Sequence, residues 1–318
     1  MNSPQHKFGI AIHGGAGTIL RSSLTPEKEK LYKDALGAAL AAGYRVLQDG
    51  GSAIDAVETA IRSLEDCPLF NAGKGAVFNS DGKHEMDASI MWGKDLSAGA
   101  VGLVKNVKNP ITLARKIMEN TPYVFVCGEG AERYAKDFNL DFENDEYFFD
   151  EFRHEQFKTS NLAGGAFLDH NVTVTNIPDE KKFGTVGAVA LDMQGNLAAG
   201  TSTGGMTNKS PGRLGDSAVI GAGTYANNNT CAISCTGHGE LFIRTVVAYD
   251  ISALMEYKDL SLAEACEEVV AKKLVRIGGE GGLIAIDKHG NIELPFNSDG
   301  MYRAMKSSDG REDVSIYK

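Results

Sequence analysis

A single threonine, Thr185, opens an apolar strand directly behind a long polar stretch of chain. The run reads Phe183-Gly184-Thr185-Val186-Gly187-Ala188-Val189-Ala190-Leu191-Asp192. The segment before it, roughly 155–182, carries Gly164-Gly165 and Pro178 and reads as a mobile linker. An internal linker of that length in a compact enzyme needs a reason, and Thr185 supplies one. A Thr hydroxyl is a poor nucleophile until a base removes its proton. As the first residue of its chain, Thr185 would carry its own base, an α-amine with a reference pKa near 8. No His or Lys would then be required.

Downstream lie Thr201-Ser202-Thr203-Gly204-Gly205, Pro211-Gly212-Arg213-Leu214-Gly215-Asp216 and Cys235-Thr236-Gly237-His238-Gly239-Glu240. Hydroxyls, a fixed cation, a carboxylate and Gly-flanked amides are the parts for acyl transfer on an anionic substrate. Any one of these residues alone reads as sheet or turn chemistry; the segments together, in this order, do not. Other chemistries are poorly served. The seven His are scattered, with no HxxxH or HxH pair, which argues against a transition-metal site. His13-Gly14-Gly15-Ala16-Gly17 follows a strand as a dinucleotide loop does. The next helix, however, starts only near Pro26, too far to face a phosphate held by those glycines. GxxxxGK[ST] does not occur.

Composition narrows the class. At 318 residues, 42% hydrophobic and 23% charged, the chain can build a sizeable core, which excludes disorder and a disulfide-stapled miniprotein. Its 37 glycines follow no period, which excludes collagen. The net charge of −10 without a basic stripe argues against nucleic acid and anionic membranes as partners. No apolar run reaches the roughly 18 residues of a membrane span. The start, MNSPQHKFGIAIHGG, lacks a signal-peptide layout. The five cysteines are odd in number and sparse, so reduced thiols and a cytoplasmic location are expected. Cys231 and Cys235 share one strand face and read as small buried side chains.

The pattern predicts a strand over Phe8–Ile12, ending at the glycines. A helix follows from Pro26 to about Gln48, capped by Thr25, with Leu31, Leu36, Leu40 and Leu47 in its apolar pattern, and a second helix follows Ser52. Strands are expected at His84–Met91, Ala98–Val104 and Tyr123–Cys127, with helices from Pro110 to about Glu119 and over Gly128–Phe138. The second half reads as a hairpin, Thr185–Asp192 with Asn196–Thr203, then strands Ala218–Gly223 and Thr230–Thr236. Helices over His238–Tyr257 and Ser261–Leu274 and a last hairpin, Leu283–Asp287 with Ile292–Pro295, complete the reading.

From Gly9 to the final hairpin the chain resembles the plant-type L-asparaginases, or isoaspartyl peptidases, of the N-terminal nucleophile (Ntn) hydrolase superfamily. Gly184–Asp192, Thr201–Gly205, Gly212–Asp216 and Cys235–Glu240 carry the resemblance. It implies an α+β fold, a four-layer αββα sandwich, made as a precursor that cuts itself into an α subunit, 1–184, and a β subunit, 185–318. The linker, about 155–184, then lets the new N-terminus clear the site, and Gly184, without a Cβ, accepts a strained scissile bond. By motif, Thr185 is the nucleophile, and Thr203 positions its hydroxyl or amine. Thr236 and the Gly237 amide form the oxyanion hole, Arg213 holds the substrate α-carboxylate, Asp216 the α-ammonium, and Gly239 lines the pocket. Asn71 stands beside the cleavage site, and Phe183 replaces a residue that is commonly polar. No cofactor is required. Leu64–Lys74 resembles a sodium-binding loop whose ligands are the main-chain carbonyls of Leu64, Glu65, Cys67, Phe70, Ala72 and Lys74. A dimer of αβ units is implied.

The resulting expectation is an amidohydrolase acting on β-aspartyl (isoaspartyl) dipeptides and L-asparagine. The rivals are a glycosylasparaginase, a threonine protease of the same superfamily, and a non-catalytic homologue used for binding. The intact Thr185, Arg213 and Asp216 count against the last.

Overall fold

Strands that are apolar on both faces need cover on both sides, and the chain supplies it in four layers. The computed structural model describes residues 7–162 and 184–318. The larger sheet contains β1 (Gly9–Gly17), β2 (Met86–Trp92), β3 (Ala98–Val104), β4 (Phe125–Cys127), β5 (Val186–Leu191), β6 (Leu197–Thr203), β11 (Gly300–Ser307) and β12 (Glu312–Tyr317). Its order is β12-β11-β1-β5-β6-β2-β3-β4, antiparallel except for β3–β4. The smaller sheet, ordered β10-β9-β8-β7, contains β7 (Thr224–Ala226), β8 (Cys231–Gly237), β9 (Gly281–Asp287) and β10 (Ile292–Glu293).

Helices α1 (Pro26–Gln48), α2 (Ala53–Glu65) and α3 (Pro110–Asn120) cover the outer face of the larger sheet. Leu36, Leu40, Val57 and Ile61 meet Ile10, Ala188 and Ile90 there. Alternate residues of the same strands, Ala11, Val189 and Ala199, pack inward on Ala232, Ile284 and Ile286 of the smaller sheet. That sheet's outer face, with Cys231, Ile233 and Cys235, lies under α7 (Gly239–Thr245), α8 (Val247–Lys258) and α9 (Leu262–Cys266), which continues as a π-helix over Glu267–Leu274. The layers are therefore α, β, β, α, and both cysteines are buried on one face as expected.

Several elements depart from the pattern-based reading. β1 runs through the glycines to Gly17 because β5 and β11 pair with it on both sides, with a bulge between His13 and Gly15. The helix expected over His238–Tyr257 breaks at Val246, which takes a left-handed φ of 51°. Loop carbonyls of Gly221 and Ala222 accept from Tyr249 and Ala248 and so seat the second piece separately. Residues 219–223 form turns after a 3₁₀ segment at Asp216–Ala218, and the strand starts only at Thr224. β11 and β12 extend the chain beyond the last expected hairpin. Leu31 lies on the exposed side of α1. α4 (Gly128–Asp137) lies where a helix is expected, whereas α5 (Asp145–Phe148) is not expected and precedes α6 (Glu151–Leu162), which occupies the start of the expected linker. The Asp150 side chain accepts from the Arg153 amide at its first turn, and Phe157 packs against Phe78. The rest of that linker reading, Phe183 included, lies outside the described residues.

Candidate active site

The β5–β6 hairpin does the first positioning. Val186 pairs with Ser202, so one step further along the register Thr185 faces Thr203. The Thr185 hydroxyl donates to Thr203 Oγ1 at 3.2 Å, and Ser217 Oγ lies 3.5 Å from it. Thr203 Oγ1 also accepts from the Gly205 amide at 2.9 Å. From the second sheet, Thr236 presents a buried hydroxyl that accepts from the Ala16 amide at 3.2 Å, which leaves its own proton to donate into the cavity it lines. Gly237 lines the same cavity. Gly184 has a φ of 104°, and a Cβ there would run into the Gly15 backbone, so glycine is required on both counts. Gly184 forms part of the wall of a cavity of only about 40 Å³, room for a few waters at most.

Arg213, Asp216 and Gly239 meet on one side of this cavity. A Cβ on Gly239 would lie 2.9 Å from Asp216 Oδ1 and 3.1 Å from Arg213 Nη2, so only a residue without a side chain lets both charged groups pack this close to the backbone there. Arg213 is held from behind. Its Nε and Nη2 donate to one Glu240 oxygen at 2.9 and 2.8 Å. Asp216 is buried, and its Oδ2 has no hydrogen-bond partner among the described residues. Burial raises its pKa to about 7 despite the Arg213 charge. A buried carboxylate oxygen without a donor among the described residues, on a residue lining a cavity, is the feature a bound cation would complete.

The turn carrying Asp216 and Ser217 is fixed by hydroxyls buried between the sheets. Ser89 donates to the Ser217 carbonyl at 2.6 Å, and Thr224, Thr201 and Ser234 continue the chain at 2.8, 2.5 and 2.7 Å. It ends on His13 Nε2, 3.0 Å from Ser234. Burial lowers the His13 pKa to about 3, although the neighbouring Thr185 backbone favours protonation, so this ring is neutral at pH 7.

Asn71 bridges toward the same place. Its amide donates to the Gly205 carbonyl at 2.7 Å, and its own carbonyl accepts from Gly204 at 3.0 Å. In the loop it belongs to, the carbonyls of Cys67, Phe70 and Ala72 each accept one backbone N–H, and that of Leu64 accepts from both Asp66 and Cys67. With the carbonyls of Glu65 and Lys74 these are main-chain oxygens, the ligand type of a hard cation. The Glu65 carboxyl faces elsewhere. It accepts from Ser202 Oγ at 2.6 Å and the Ile111 amide at 3.1 Å, and burial raises its pKa to about 8.

Every site residue singled out from the sequence around Thr185 therefore falls around one cavity. Ser217, Glu240 and Ala16 take part without having been assigned a role. Each lies in or beside a motif already noted, and adjacency to Asp216, Gly239 and Gly15 was the available signal.

A threonine heading a buried strand of a four-layer αββα sandwich, with donors and a charge pair around it, defines an Ntn hydrolase. The family model described as Asparaginase matches residues 6–316, and the chain belongs to that family. It is 52% identical over 312 residues to the isoaspartyl peptidase of Escherichia coli (strain K12), covering 98% of this chain and 97% of that one. It is 40% identical to a probable isoaspartyl peptidase/L-asparaginase 2 of Arabidopsis thaliana, over 98% and 99% of the two chains. With the isoaspartyl peptidase/L-asparaginase of Rattus norvegicus the identity is 42%, over 92% and 84%.

Proposed function

We propose that this chain is an autoproteolytically activated amidohydrolase that cleaves β-aspartyl dipeptides and L-asparagine through an N-terminal threonine. The observation that carries the reading is the placement of the Thr185 hydroxyl beside Thr203, in one cavity with Arg213 and Asp216. The names of the relatives support the same substrates.

In the precursor, the Thr185 hydroxyl attacks the Gly184 carbonyl, the bond to the Thr185 nitrogen breaks, and water hydrolyses the resulting ester. Chains 1–184 and 185–318 result, and Thr185 gains a free α-amine. The 40 Å³ cavity supports this order, because it is small and Gly184 forms part of its wall beside Thr185. In turnover, Arg213 binds the α-carboxylate and Asp216 the α-ammonium, which leaves the side-chain β-carbonyl facing Thr185. The α-amine takes the hydroxyl proton as Oγ attacks, and Thr203 holds the hydroxyl in line. Thr236 Oγ and the Gly237 amide stabilise the oxyanion. The leaving amine departs with the proton, and water then releases aspartate from Thr185. We further propose a cytoplasmic dimer of αβ units with a structural sodium ion at the 64–74 carbonyls and no catalytic cofactor.

The test is a denaturing gel with mass analysis of the fragments. Two chains are expected, the lighter beginning Thr-Val-Gly-Ala, and Thr185→Ala stays whole. Any other new N-terminus sinks the assignment.

A further inference from the structure

Arg213 sits in a stretch that no sheet or α-helix holds. Between Thr203, the last residue of β6, and the turn at Asp216, the chain has turns and isolated bridges at Thr207 and Lys209. Loops of this length adopt several conformations unless something fixes them. At their centre stands Lys209, whose side chain is fully buried. Its Nζ donates to the Glu85 carbonyl at 2.7 Å and lies 3.7 Å from Asp87 Oδ2. Both acidic residues reach back to the loop. The Glu85 carboxylate accepts from the amide of Gly212, the residue before Arg213, at 3.3 Å. Asp87 pairs in register with Thr203, where the loop begins. The backbone joins in: Ser80 donates to the Lys209 carbonyl at 2.9 Å, and Asn208 to that of Phe78 at 2.8 Å.

We propose that Lys209, paired with Asp87, is a positioning residue that fixes the 204–213 loop and so presents the Arg213 guanidinium to the substrate carboxylate. Burying an ammonium is costly, and a well-packed apolar pair gives equal or greater stability, so such a pair is better explained by selecting one loop conformation. The inference rests on Arg213 being the carboxylate ligand. It predicts a split between the two reactions of the chain. Self-cleavage at Gly184–Thr185 needs no α-carboxylate and stays insensitive to Lys209, while substrate binding depends on it.

Lys209→Met alone strands the Asp87 charge in the interior and puts folding itself at risk, so the deciding variant is Lys209→Met/Asp87→Asn, which removes both charges and keeps the volumes. Self-cleavage is followed on gels, and steady-state kinetics are measured on β-Asp-Leu and L-asparagine. The expected result is cleavage within about twofold of wild type, kcat within about threefold, and KM raised about tenfold or more. Lys209→Arg, which keeps a cation at this position, should recover most of the KM. An unchanged KM overturns the proposal. A parallel loss of cleavage and kcat, or failure of the double variant to fold, also overturns it by giving the pair a fold-wide role. If wild type itself does not hydrolyse β-Asp-Leu, the proposed function fails instead, and the two failures are distinguishable.

Discussion

Asp216→Asn should make the protein more stable at pH 8 and a far worse enzyme, two effects of opposite sign from one atom. In the ligand-free fold the carboxyl is raised from its ordinary value near 3.8 to about 7, chiefly by burial. A raised carboxyl contributes stability that is fully present below the unfolded value and lost as pH rises through the folded one. Between pH 3.8 and 7, at about 1.36 kcal/mol per pH unit, the loss in wild type amounts to about 4 kcal/mol. An asparagine does not titrate, so that loss is absent from the variant. Urea melts of both proteins at pH 4.5 and 8, without substrate, should therefore show the stability difference moving in favour of the Asp216→Asn variant by a few kcal/mol as pH rises. The catalytic side runs the other way. Losing the charged partner of the substrate ammonium costs about 2–5 kcal/mol in kcat/KM, or about 30- to 5,000-fold, on β-Asp-Leu at pH 8. Gels should still show two chains, since self-cleavage does not use this carboxylate. Wild-type kcat/KM in the variant, or a stability difference that does not change with pH, would refute the reasoning.

Three further outcomes follow from the same geometry. Arg213→Ala should lose about 2–5 kcal/mol in kcat/KM on β-Asp-Leu, and wild type should reject α-Asp-Leu by up to about 10⁴-fold, because an α-peptide bond consumes the carboxylate that Arg213 needs; steady-state kinetics on both dipeptides check this. Gly239→Ala puts a methyl 2.9 Å from Asp216 Oδ1 and 3.1 Å from Arg213 Nη2, so KM should rise about tenfold or more while the melting temperature stays near wild type. If the 64–74 carbonyls hold sodium, thermal melts in NaCl should lie above those in choline chloride at equal ionic strength, and equal melts would remove the ion from the account.

What was legible in the sequence was local or carried by motifs. The facing of Thr185 and Thr203 follows from a hairpin whose turn, Met193-Gln194-Gly195, is short and whose register the pairing of Val186 with Ser202 continues. Thr25 and Ser52 announced the starts of α1 and α2, because a side-chain oxygen accepting from the first turn is a contact within three residues. Convergence of Arg213, Asp216 and Thr236 was carried by resemblance, since nothing in spacing alone brings β8 beside that turn. The tertiary structure decided the rest. β12 is an edge strand with a single buried residue, Ile316, too little of an apolar pattern to find. Val246 breaks a helix that its own residues would continue, because the partners of the next amides lie in the 221–222 loop. Lys209, Glu85, Asp87 and Glu65 read as surface charges by type, yet all four are buried. Lys209 finds its Glu85 partner 124 positions away. Desolvation depends on which distant segments close over a group, and that information exists only once the two sheets and the loops between them have packed.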